Sequence, residues 1–170
     1  EAQVENNGHT IEVSFKNPKN TLTIGDDVYK LQQFHFHAPS ENEIDGQTYP
    51  LEGHFVYKTD NGKITVVSVL YNYGDENQAL KQIWDKMPQA ANTETELPQA
   101  ISLDDFYPED KDYYNFEGSL TTPPCTEGVN WIVFKNQETV SKEQVEKFTQ
   151  TLGFKNNRPI QDTNGRQIKE

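Results

Sequence analysis

Three of the four histidines in this chain fall in one short stretch, and their arrangement limits what the chain can fold into. Gln33-Phe34-His35-Phe36-His37 is followed, after a turn-rich interval (Pro39, Ser40, Asn42, Asp45, Gly46), by Leu51-Glu52-Gly53-His54-Phe55. Aromatic residues alternating with polar ones predict two strands joined by a connection. On a strand, successive side chains alternate faces. His35, His37 and Gln33 therefore share one face, while Phe34 and Phe36 point into a core. On the second strand His54 shares its face with Glu52 and Val56. A lone strand histidine is ordinarily a hydrogen-bonded structural residue. Several imidazoles side by side in a half-buried sheet are costly unless something satisfies their nitrogens. Three neutral imidazoles with an open fourth position form a ligand set for catalytic Zn2+.

The 170 residues are expected to form a single domain, 1–170, large enough for a real core. Hydrophobic content is only 33%, but nine Phe, eight Tyr and two Trp supply the bulk. The formal net charge of −12 argues against nucleic acid and anionic membrane surfaces as partners, and leaves a small-molecule substrate open. No apolar run approaches the length of a membrane span. No signal peptide is visible, and the chain enters a strand-turn unit at once, so an upstream segment is expected to be missing. Cys125, the sole cysteine, is a buried apolar residue, a free thiol, or half of a bridge whose partner is absent.

Strands dominate the remaining pattern. Thr10–Phe15 alternates as a half-buried strand, and Thr21–Ile24 with Val28–Leu31 flank a Gly25-Asp26-Asp27 turn. Ile64–Tyr71, apolar and β-branched, is the candidate central strand. Tyr113–Phe116 and Asn130–Phe134 are further strands. Asn77–Lys86 and Ser141–Leu152 are the helices, the second with a capping box (Ser141, Gln144) and a Gly153 stop. Gln89–Leu97 reads as a loop, Ser102–Asp105 as a turn or short helix, and Ser119–Gly128 as irregular because Pro123-Pro124 removes ladder donors. The fold class is all-β or β-rich mixed.

Beside the histidines, Gln33 and Glu52 lie on the right faces to receive imidazole N–H groups and fix the rings. Glu41 follows His37 by four residues, where a carboxylate can return to the site. His35-x-His37-x3-Glu41 resembles the metal motif of the cupins, in which the metal is often iron or manganese. The upstream glycine of that motif is replaced by Tyr29, and no second motif follows His54.

Ser119-Leu-Thr-Thr-Pro-Pro-Cys-Thr-Glu-Gly-Val-Asn-Trp131 resembles the signature of the α-class carbonic anhydrases in their bacterial form. The resemblance runs from Asn6-Asn7-Gly8-His9 through Gln33–His37, Glu41, Leu51–His54 and Ser119–Trp131 to Asn157-Arg158-Pro159. It implies a large central, twisted, mostly antiparallel sheet with a few peripheral helices, lacking the family's N-terminal part. It implies zinc-dependent reversible hydration of carbon dioxide to bicarbonate and a proton, by zinc-hydroxide attack with histidine proton shuttling. His35, His37 and His54 match the zinc ligands, and Gln33 and Glu52 their hydrogen-bond partners. Thr121 matches the threonine that hands its proton to a buried carboxylate, matched by Glu41; Thr122 lies beside it. Val56, Val66, Leu120, Val129 and Trp131 match the apolar wall against which carbon dioxide rests, and His9 matches the proton shuttle.

By the same resemblance Cys125 matches a bacterial cysteine whose disulfide partner lies in the missing segment. That segment is itself an expected partner, as is a second copy in a homodimer, and the compartment is periplasmic or secreted. Glu12 departs from the pattern, standing where family members commonly carry an amide. Two competing readings remain: a cupin-like iron or manganese protein, and a non-catalytic binding module of the same fold. Relatives of the latter kind typically lose a zinc histidine, whereas this chain keeps all three.

Overall fold

The structure, a computed structural model, describes residues 1–170. Its strands are β1 (Ala2–Asn6), β2 (Ile11–Phe15), β3 (Thr21–Ile24), β4 (Asp27–His37), β5 (Leu51–Lys58) and β6 (Ile64–Tyr73). They continue as β7 (Thr93–Glu96), β8 (Tyr113–Ser119), β9 (Glu127–Phe134) and β10 (Glu138–Val140), with helices α1 (Gln78–Trp84) and α2 (Lys142–Leu152). All ten strands belong to one sheet in the order β7-β1-β2-β4-β5-β6-β9-β8, with β3 on β4 and β10 on β6. Only the β6–β9 and β6–β10 pairings are parallel. The expected mostly antiparallel sheet with few helices is what forms, and β6 lies inside it.

Strand β4 differs from the expected pair of short strands. It is continuous over 11 residues, with a register shift between Leu31 and Gln33. Gln32 is the extra residue of this bulge. Upstream of it Tyr29 and Leu31 face the core; downstream Phe34 and Phe36 do. An uninterrupted period of two would have carried one of these pairs to the opposite face. The bulge keeps Tyr29, Leu31, Phe34 and Phe36 on one side and leaves Gln33, His35 and His37 on the other.

Two apolar clusters result, one per face. The larger packs Phe34, Phe36, Phe55, Val67, Val69 and Tyr71 against the helices. Phe34 stacks on Phe55 at 4.8 Å, and Phe36 meets Trp84 of α1 edge-on at 5.0 Å. Trp84 in turn stacks on Phe148 of α2 and donates to the Gln144 carbonyl at 2.8 Å. The smaller cluster lies on the histidine face: Val56, Val66, Leu70, Val129, Trp131 and Val133, with Phe116 and Leu120 against it.

Helix α2 starts with the expected Ser141–Gln144 capping box and ends at Gly153 in the left-handed region. Asn77 caps α1 by accepting from Leu80 N at 3.0 Å. Two strands were not anticipated. Thr93–Glu96, expected as loop, forms β7 by pairing antiparallel with β1. Its Thr-Glu-Thr-Glu sequence is exposed throughout, so backbone pairing without burial holds it and no apolar alternation marks it. Three-residue β10 extends the far end of β6. The irregular segment after β8 is shorter than expected, since β9 begins at Glu127.

Candidate metal centre

Register places the histidines. His35 on β4 stands directly opposite His54 on β5, and His37 opposite Glu52. The ring centroids are 5.0 Å apart for His35–His37, 5.4 Å for His35–His54 and 4.7 Å for His37–His54. One ring nitrogen from each comes within 4.8 Å of the others. His37 and His54 are buried, and His35 opens towards a cavity.

The other nitrogen of each ring lies against an oxygen. His35 Nδ1 donates to Gln33 Oε1 at 2.8 Å, and His37 Nδ1 to the Asn156 carbonyl at 2.9 Å. His54 Nε2 lies 3.0 Å from Glu52 Oε2. Both oxygens beside His35 and His37 can only accept, so these rings carry their protons on Nδ1; the carboxylate likewise favours the proton of His54 on Nε2. Three unprotonated nitrogens are thereby turned on one another. His37 Nε2 is buried with no hydrogen-bond partner. A buried orphan of this kind needs an explanation, and a cation bound by all three nitrogens supplies one.

Charge around the site is organised the same way. Burial, reinforced by His37 and His54, holds the His35 imidazole well below its usual range. Burial and the neighbouring His54 push His37 down to about 3. For His54 the burial effect is outweighed by the Glu52 and Glu41 carboxylates, which raise it. Burial would raise Glu52 too, but the charge of His54 and the hydrogen bonds it receives hold it below the ordinary carboxylate range. Glu52 accepts from Glu41 N at 2.7 Å, Asn42 N at 2.9 Å, Asn42 Nδ2 at 2.6 Å and the Ser68 hydroxyl. It is a fully solvated anion whose solvent is protein.

Glu41 returns to the site as expected. Burial raises its carboxyl, against the opposing His54 charge, the Thr121 hydroxyl hydrogen bond and the Arg158 amide. The Arg158 N–H donates to Oε2 at 2.6 Å, and Oε1 lies 3.2 Å from His37 Nε2. Thr121 and Glu41 line one cleft together with Trp131 and Arg158. Trp131 packs edge-on to His54 at 4.9 Å and anchors its indole N–H on Ser119 O at 3.1 Å. A Cβ at Gly118 would come within 2.9 Å of the Trp131 ring, so that strand position must be glycine for the indole to lie there.

A cavity of about 460 Å³ leads to the cluster, lined by His9, Glu12, Gln33, His35, His37, Thr122 and others. His9 is exposed at its rim. Its turn is held by Asn7 Oδ1, which accepts from His9 N and Thr10 N at 2.9 Å each, and by Gly8 at φ +83. Val56, Val66 and Val129 pack beside the histidines as part of the smaller cluster, with Leu120 against it. Cys125 is a free, half-buried thiol at φ +56, its amide donating to Thr122 O at 2.9 Å.

Three contributors escaped the sequence reading. Asn156 offers a backbone carbonyl to His37, which no residue type announces; its side chain also ties Ala38 N, Phe36 O and His9 O together. Asn42 and Ser68 reach Glu52 from a turn and from β6. Ser68 had a usable signal, a lone polar residue within the apolar run Val66-Val67-Ser68-Val69-Leu70.

The family model for eukaryotic-type carbonic anhydrases matches residues 1–170. The chain belongs to this family. It is 48% identical to a carbonic anhydrase of Neisseria gonorrhoeae over 167 residues, covering 98% of this chain and 66% of that one. A carbonic anhydrase of Pectobacterium carotovorum is 46% identical, with 98% and 68% covered. The chain thus spans about two thirds of the length of these relatives. Among solved structures, the α-carbonic anhydrase of Thermovibrio ammonificans, in complex with the inhibitor sulfanilamide, superposes with a TM-score of 0.95 at 46% identity, covering 98% of this chain and 74% of that one. Dioscorin complexed with ascorbate superposes at 0.91 with 34% identity, covering 98% and 72%. Membership of the carbonic anhydrase family sets the cupin reading aside.

Proposed function

We propose that the chain binds zinc through His35, His37 and His54 and catalyses the reversible hydration of carbon dioxide. The observation that carries this is the set of three imidazoles whose outer nitrogens are engaged by Gln33, Asn156 and Glu52, leaving the inner ones facing one another. Zinc bound there supplies Lewis acidity that brings the pKa of a coordinated water to about 7, the figure known for this family's metal centre.

The protein's part is to aim and to move protons. Gln33 and the Asn156 carbonyl hold the imidazole planes and tautomers of His35 and His37, and Glu52 does so for His54. Thr121 gives its hydroxyl proton to Glu41, which leaves the Thr121 oxygen free to accept a hydrogen bond beside the cluster. Glu41 is fixed for this by the Arg158 amide. Val56, Val66, Leu120, Val129 and Trp131 give carbon dioxide a surface that offers no competing hydrogen bonds. At the rim His9 takes up and releases the product proton, a task that suits an imidazole near neutrality. The reading of the chain as periplasmic or secreted, and as a homodimer, rests on its likeness to bacterial relatives alone.

Stopped-flow hydration of carbon dioxide by the 170-residue chain, with and without one equivalent of zinc, tests the proposal, with metal stoichiometry by mass spectrometry. Zinc-dependent turnover is expected. Stoichiometric zinc without turnover would instead favour the binding-module reading.

A further inference from the structure

The histidine face carries a second row of charge. Register aligns Glu94 on β7, Glu5 on β1 and Glu12 on β2 with His35 and His54 in one file across the sheet. Like charges in register on neighbouring antiparallel strands stand about 5 Å apart at Cβ and destabilise the sheet. Consistent with that, burial and the Glu5 charge raise the Glu12 carboxyl. No base relieves the file. Lys16, just past β2, is turned to Glu1 and Glu96 at 3.5 and 3.4 Å.

The inner end of the file lies in the cavity. Glu12 lines it beside His9, His35 and His37, while Asn7, Thr10, Gln33, Thr122 and Asn156 contribute uncharged groups. No lysine or arginine lines it, and Glu12 is its one carboxylate. Any anion approaching the histidines from this side passes a carboxylate that is half withdrawn from water. An uncharged molecule does not feel it.

We propose that Glu12, backed by Glu5 and Glu94, is a specificity determinant that weakens binding of free anions at the histidine cluster without hindering neutral carbon dioxide. The inference rests on the zinc-dependent reading above. In that setting the product is itself an anion, and Glu12 favours its departure. The reaction equilibrium ties kcat/KM in the two directions together, so the effect is to be read in anion affinity.

The test is calorimetric titration of thiocyanate into the zinc-loaded protein at low ionic strength. Glu12→Gln should tighten binding about three- to tenfold, the size expected for one unit charge acting over several ångströms of partly wet protein. Glu12→Asp keeps the charge and should stay close to the parent, and Glu94→Gln, at the exposed end of the file, should change affinity less than about twofold. Raising ionic strength to ~0.5 M should collapse the Glu12→Gln difference. Equal affinity of the parent and Glu12→Gln at low salt overturns the proposal. So does equal tightening in Glu12→Asp, which would make the effect one of shape. Absence of hydration by the parent chain in the stopped-flow assay would count against the catalytic reading instead, whatever the anion comparison shows.

Discussion

The two faces of the central sheet are built from the same strands and obey opposite rules. On one face Phe34, Phe36 and Phe55 interlock with each other and with Trp84 and Phe148, and the contacts between these rings are apolar. On the other, one residue along each strand, His35, His37 and His54 are also largely withdrawn from solvent, yet one nitrogen of each ring is set against a specific oxygen. The apolar face stabilises the fold through area removed from water, which is non-directional. The polar face depends on direction, and it leaves three buried atoms, His37 Nε2, His54 Nε2 and Glu41 Oε1, without a directed hydrogen bond. The contrast teaches that the fold can afford a costly, incompletely satisfied cluster because the opposite side of the same strands holds the sheet together.

Breaking the separation of the faces should have the largest effect. Deleting Gln32 removes the bulge, so either Tyr29 and Leu31 or Phe34 and Phe36 must leave the core. At about 2 kcal/mol for each buried side chain this costs several kcal/mol. Urea unfolding should show it, together with loss of stoichiometric zinc.

Single substitutions on the two faces should separate stability from metal binding. Phe36→Ala is expected to cost about 3–5 kcal/mol in denaturant unfolding of the zinc-free chain. His37→Ala, its neighbour on the other face, should abolish zinc binding and hydration while leaving zinc-free stability within about 1 kcal/mol, because it also removes an unsatisfied buried nitrogen. Comparable losses of stability in both variants would erase the distinction.

A gentler probe leaves the ligands in place. Gln33→Ala frees the His35 ring and should weaken zinc about 10- to 100-fold in competition with a chelator, with little change in zinc-free stability.

The smallest expected effect is in pH. In the zinc-free chain His37 is held to about 3, below its ordinary value near 6.5. As pH falls below about 6.5 the unfolded chain takes up this proton first, so the His37 contribution to stability, complete above that pH, is lost as pH drops towards 3. His54, raised by Glu52, acts in the opposite sense. His37→Gln should therefore flatten the acid limb of the zinc-free stability curve measured by urea unfolding; an unchanged limb would show that His37 takes up its proton alike in the folded and unfolded states.

Much of this contrast was present in the order of residues alone. Alternation in Phe34-His35-Phe36-His37 separates the faces because a strand has a period of two, and no tertiary information is needed for that. The Ser119–Trp131 signature and the Ser141 cap were legible for similar local reasons. Other features belong to the assembled sheet. Thr93–Glu96 became a strand only because β1 presented an open edge to pair with, and its polar side chains gave no warning. Asn156 came to hold His37 from 119 positions away through a backbone carbonyl, an atom every residue possesses. The file of Glu94, Glu5 and Glu12 likewise exists only through register, since nothing in their spacing along the chain relates them. Local periodicity decides which side a residue faces; which residues meet on that side is decided by strand order and register, which depend on the whole chain closing on itself.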